Sequence, residues 1–104
     1  MSERQRLTDR RSCELIDFEW LGLGFTAGVG RYPDGRISEL FLDNPKAGSA
    51  VGTLVRDLAI VFSFAVQHGA DAQAIRCALG RDSAGRPLGP LGAVLDLLSR
   101  EPAP

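Results

Sequence analysis

The stretch from Ser49 to His68 constrains this chain more than any other. On a helical wheel of about 100° per residue, Val51, Leu54, Val55, Leu58, Val61, Phe62, Ala65 and Val66 fall on one broad side. A helix with such a side has to bury it, because each Val, Leu or Phe side chain contributes roughly 1.5–3 kcal/mol when removed from water. Thr53, Arg56, Asp57, Ser63, Gln67 and His68 mark the opposite, wetter side. Ile60 and Phe64 lie in the middle of that polar sector, where a surface helix ordinarily carries Lys or Glu. They need a cover, either a later helix of the same chain or a second copy of it. Ser49 is suited to cap the helix start, and Gly69 suits the left-handed residue after its end.

The residues before this helix have the two-residue period of strands. Ile16, Phe18 and Trp20 alternate with Leu15, Asp17 and Glu19, which predicts a strand from about Cys13 with its aromatic side inward. After a turn at Leu21 to Gly24, Phe25, Ala27 and Val29 alternate with Thr26, Gly28 and Gly30, giving a second strand whose other face is nearly bare. Glycines there admit a bulge, close packing or a ligand. Tyr32-Pro33-Asp34-Gly35 has the Pro and Gly positions of a type I turn leading into a bulged hairpin. The return strand, 36–42, sets Ile37, Glu39 and Phe41 on one face and Leu40 and Leu42 on the other. After the long helix, Asp71 can cap a short one running to Leu79, with Ala74, Ile75, Ala78 and Leu79 inward and Cys77 near them. Pro90 opens a last helix striped with Leu91, Val94, Leu95 and Leu98. The expected fold is α+β: a short antiparallel three-stranded meander followed by a long central helix and two shorter helices. It forms one domain over 13–99, between a disordered tail at 1–12 and a second tail at 100–104. Three strands leave open edges, a further reason to expect a dimer.

Twelve basic residues against thirteen acidic ones give a net charge of −1, which argues against a nucleic-acid-coating chain. The Arg-rich first twelve residues lack the apolar segment of a signal peptide. The longest apolar run, Leu58 to Val66 broken by Ser63, is too short to span a bilayer, so a cytoplasmic location and no membrane are expected. Cys13 and Cys77 lack metal-ligand or disulfide spacing, and no metal or other cofactor is expected. His68, the sole histidine, has no Ser or Cys paired with it by spacing, so no catalytic residue is assigned. Lys46, Gly48 and Ser49, at the start of the long helix, either cap it or hold a phosphate through free backbone N–H groups and one ammonium. The loop 81–87 gathers Arg81, Asp82, Ser83 and Arg86, as a solvated loop or as ligand-binding groups.

Gly28 to Arg36, Glu39 to Leu42, Lys46 to Ser49 and Ala65 to Gly69 together resemble the TSCPD domain. That module is found near the C-terminus of adenosylcobalamin-dependent ribonucleotide reductases and as a free-standing protein. The resemblance spans about Phe25 to Leu98 and implies an association with ribonucleotide reduction without an active site in this segment. It implies structural roles for Asp34 and Gly35 in a turn, for Lys46, Gly48 and Ser49 at the helix start, and for Gln67 and Gly69 at its end. The Thr-Ser-Cys-Pro-Asp string that names the module is absent. The expected function is a non-catalytic, dimeric interaction or regulatory domain, with Ile60 and Phe64 at the interface and a ribonucleotide reductase or another protein as partner. The alternative is a small-ligand module binding a nucleotide or phosphate through Lys46, Gly48, Ser49, Arg81 and Arg86.

Overall fold

The computed structural model of the protein describes residues 13–44 and 50–100. The expected tail at 1–12, the Lys46–Ser49 segment and most of the expected tail at 100–104 lie outside them. Three strands, β1 (Cys13–Trp20), β2 (Leu23–Arg31) and β3 (Ile37–Asp43), precede three helices, α1 (Ala50–Gln67), α2 (Ala72–Ala78) and α3 (Pro90–Arg100). The strands form an antiparallel meander in the order β1-β2-β3. This is the α+β architecture read from the sequence, with the last helix reaching one residue further.

Leu21 and Gly22 close the first hairpin, both in the left-handed region (φ 50° and 76°), the backbone that matches the right-handed twist of the flanking strands. The second hairpin turns through Tyr32 to Gly35, where the Gly35 N–H donates to the Tyr32 carbonyl at 2.9 Å. Gly30 pairs with Glu39 but Arg31 pairs with Ile37, so Ser38 is an extra residue in β3. This bulge corrects the sequence reading of the strand. Strict alternation puts Ile37 with Glu39 and Phe41, whereas the extra residue carries it across to pack against the core.

Phe18, Phe25, Ala27, Val29, Leu40 and Leu42 make the inner face of the sheet, and α1 and α3 cover it. Val55, Ala59, Phe62 and Val66 come from α1, and Leu91, Val94, Leu95 and Leu98 from α3. The outer face is not bare. Phe41 lies over Gly28, and Glu39 folds so closely over Gly30 that a Cβ there would meet its Cγ at 2.7 Å. Close packing is therefore the observed reason for glycine at 30. Contrary to expectation, Ala74, Ala78 and Cys77 of α2 are exposed, and only Ala72, Ile75 and Leu79 of this segment pack partly against the core. A helix of two turns at the periphery, touching α3, presents few of its residues to the core.

At 18 residues and a mean hydropathy of 1.5, α1 is long and apolar enough to cross a bilayer, which its short uninterrupted run did not suggest. In this fold it instead supplies four side chains to the core.

Candidate interaction surface

The C-terminal end of α1 follows the local sequence. Gly69 takes φ 102°, its N–H donates to the Val66 carbonyl at 3.1 Å, and the Ala70 N–H donates to the Ala65 carbonyl at 3.0 Å. These two bonds are a Schellman ending, which a residue without a Cβ adopts at least cost. At the start, Ser49 lies outside the described residues.

The rotation of α1 about its axis differs from the sequence reading. Its buried residues are Gly52, Val55, Ala59, Phe62, Val66 and Gln67. At about 100° per residue, this face is turned by roughly 80° from the one the apolar pattern predicts. Ser63 and Gln67, expected on the wet side, lie against the edge of β3. The Ser63 hydroxyl accepts the Leu40 amide N–H at 2.8 Å and lies 3.0 Å from the Leu40 carbonyl oxygen, to which it can donate. The Gln67 Nε2 donates to the buried Ser38 carbonyl at 2.8 Å. Arg56, on the same stripe, pairs with Asp43 at 2.8 Å. The helix thus satisfies backbone groups that a third strand leaves without a neighbour, and the β3 edge is closed here rather than open.

Turning α1 toward that edge has a cost on its far side. Leu54, Leu58 and Val61, expected inward, are 67%, 40% and 66% exposed. Ile60 and Phe64 are 51% and 49% exposed, so neither α2 nor α3 provides the cover that they lack. The Phe64 and His68 rings lie 6.4 Å apart and nearly parallel, and the Phe64 carbonyl lies 2.8 Å from the His68 Nδ1, a separation that suits an N–H donor. Leu54, Leu58, Val61 and Ala65 recur at spacings of four, three and four residues, the seam along which two helices pack. The sequence reading noticed the pair set among polar residues but gave this seam to the core. The helix carries two apolar stripes, one along Val55, Ala59, Phe62 and Val66 and one along Leu54, Leu58, Val61 and Ala65.

The loop after α2 is held by its own residues. Arg81 makes a bidentate contact with Asp96, Nη2 to Oδ1 at 2.6 Å and Nη1 to Oδ2 at 2.9 Å, and Arg76 Nε donates to the same Oδ1 at 2.9 Å. Hydrogen bonds from Arg81 foremost, with those from Arg76, lower the Asp96 carboxyl to about 2. Arg86 donates its backbone N–H and its Nε to the two Asp82 oxygens. Arg81 and Arg86 are therefore engaged within the fold, while Lys46, Gly48 and Ser49 lie outside the described residues. Among the described residues no three His, Cys, Asp or Glu side chains are grouped to hold a metal ion.

A curated vitamin B12-dependent ribonucleotide reductase of Rhodopirellula baltica is 35% identical to the chain over 72 residues, 69% of this chain and 7% of that protein. One of Bradyrhizobium diazoefficiens is 33% identical over 69 residues, 66% of the chain and 6% of that protein. This chain is related to a small region of B12-dependent ribonucleotide reductase. It spans less than a tenth of the length of these relatives. No family model matches the chain, and no solved structure does.

Proposed function

We propose that the protein is a non-catalytic, dimeric interaction or regulatory domain of the TSCPD type, working in the cytoplasm with a ribonucleotide reductase or another protein as partner. One observation carries the reading: five large apolar side chains of α1, Leu54, Leu58, Ile60, Val61 and Phe64, stand 40% to 67% exposed on the far side from the sheet. A contiguous apolar surface on a small domain marks an interaction site. Its spacing fits the same helix of a second copy, which meets the seam with an identical one about a two-fold axis. The relation to a reductase region supports a partner in that system.

Light scattering of the full chain tests this. The expected result is a dimer that Ile60→Glu with Phe64→Glu, or Leu58→Glu with Val61→Glu, converts to a folded monomer. Since these positions are exposed in the protomer, the monomer should keep its circular dichroism. A wild-type chain that remains monomeric at all attainable concentrations, with both double variants unchanged in solubility and stability, removes the reading.

A further inference from the structure

Two turns far apart in the chain are built alike. In Arg31-Tyr32-Pro33-Asp34-Gly35-Arg36 the Tyr32 N–H donates to the Arg36 carbonyl at 2.8 Å, and Arg31 Nη1 donates to the Gly35 carbonyl at 2.9 Å. In Arg81-Asp82-Ser83-Ala84-Gly85-Arg86 the Asp82 N–H donates to the Arg86 carbonyl at 2.9 Å, and Arg81 Nη1 donates to the Gly85 carbonyl at 2.9 Å. In each turn an aspartate also receives the backbone N–H and the Nε of the last arginine. The pattern Arg-x-x-x-Gly-Arg thus uses its carbonyl to aim the first guanidinium. The two turns differ in what that guanidinium meets. Arg81 closes on the Asp96 carboxylate with both terminal nitrogens, whereas Arg31 has only a 3.5 Å contact from Nε to Glu14. Its Nη2 has no hydrogen bond among the described residues.

Arg31 lines a cleft of about 230 Å³ between the second hairpin, the end of α1, α2 and α3. Arg76 lines the same cleft. Its Nε is bonded to Asp96 and its Nη1 to Gln73, and its Nη2 likewise has no hydrogen bond among the described residues. Arg36, paired with Asp34 at 2.7 Å, also stands on the wall, Asp71 is the one acid among the lining residues, and Val66, Leu95 and Leu98 give an apolar floor. Behind Arg76 stands one carboxylate shared by two arginines, so that cluster leaves a net positive charge beside the cleft. Guanidinium groups fixed in direction and short of an acceptor match a carboxylate or phosphate. The volume is below the roughly 300–1,000 Å³ of pockets for drug-sized ligands, which limits the occupant to a small molecule.

We propose that this cleft binds a small organic oxyanion, a carboxylate or phosphate monoester on a short apolar body, with Arg31 and Arg76 holding its oxygens. Amide NMR of the full chain titrated with phenyl phosphate, benzoate and uncharged benzyl alcohol tests it. The expected result is saturable shifts at Arg31, Gly35, Gln73 and Ser99 with one or both anions, and none with the alcohol. Whichever anion binds more tightly assigns the oxyanion type. Arg31→Gln should weaken that anion about tenfold or more, the loss of one charge-assisted hydrogen bond, with Arg31→Lys in between. If Arg31→Gln does not fold, the wild-type shift map decides alone. The proposal is overturned if neither anion shifts these amides, if the alcohol shifts them equally, or if the shifts map to another surface.

Discussion

Glu39 and Gly30 illustrate what single residues decide. A side chain at 30 meets Glu39 Cγ at 2.7 Å, whereas one at 28 finds Phe41 at 3.5 Å, an ordinary contact. Gly30→Ala should therefore destabilise by about 1–3 kcal/mol through overpacking, while Gly28→Ala stays within about 1 kcal/mol of wild type. Urea unfolding of the two variants separates them. Asp96 is the other residue with a large expected effect, since its carboxylate is the ion-pair partner of both Arg76 and Arg81. Its folded value of about 2 is below the ordinary carboxylate value, so the cluster contributes stability above that ordinary value and loses it as pH falls toward 2. Asp96→Asn should cost about 2–3 kcal/mol at neutral pH, because it leaves two half-buried guanidinium groups without their anion. Its stability should also fall less steeply below pH 4 than that of wild type. Equal acid slopes in the two proteins would show that Asp96 is not the group titrating.

For α1 the decisive fact is which side faces the sheet. Its apolar residues surround most of the helix, so hydrophobicity alone leaves the rotation undetermined. Ser63 and Gln67 select it by supplying what the β3 edge lacks at Leu40 and Ser38. Ser63→Ala should cost about 1–2 kcal/mol by removing the acceptor of a partly buried amide. Hydrogen exchange at the Leu40 amide should speed up with it, more than at Val29 in the middle of the sheet. Unchanged exchange at Leu40 would mean that the hydroxyl does not close the edge. Elements with one apolar stripe were legible from sequence. In α3, Leu91, Val94, Leu95 and Leu98 are all buried as their spacing predicts. In α2 the inward set was overestimated, because a seven-residue helix beside α3 touches the core with few of its residues.

At the scale of the whole molecule, a three-stranded sheet and two main helices make one core and leave a second apolar face unused. A dimer that buries this face gains stability with concentration, since association favours the folded state by mass action. The melting temperature of the wild type should rise with protein concentration, and that of Ile60→Glu with Phe64→Glu should not. The cleft and the α1 seam are separate surfaces, so a ligand titration and a light-scattering measurement report on them independently.

Local chemistry determined the order of elements, the turn at Tyr32–Gly35, the end of α1 at Gly69 and the presence of Ile60 and Phe64 among polar neighbours. These depend on residues within a few positions of one another. Tertiary structure decided the rotation of α1, the side of the sheet taken by Ile37, and the placing of Arg31 and Arg76 on one cleft. Each of these depends on how distant segments meet: a backbone edge in need of hydrogen bonds, the register of β3 against β2, and a hairpin brought against a helix.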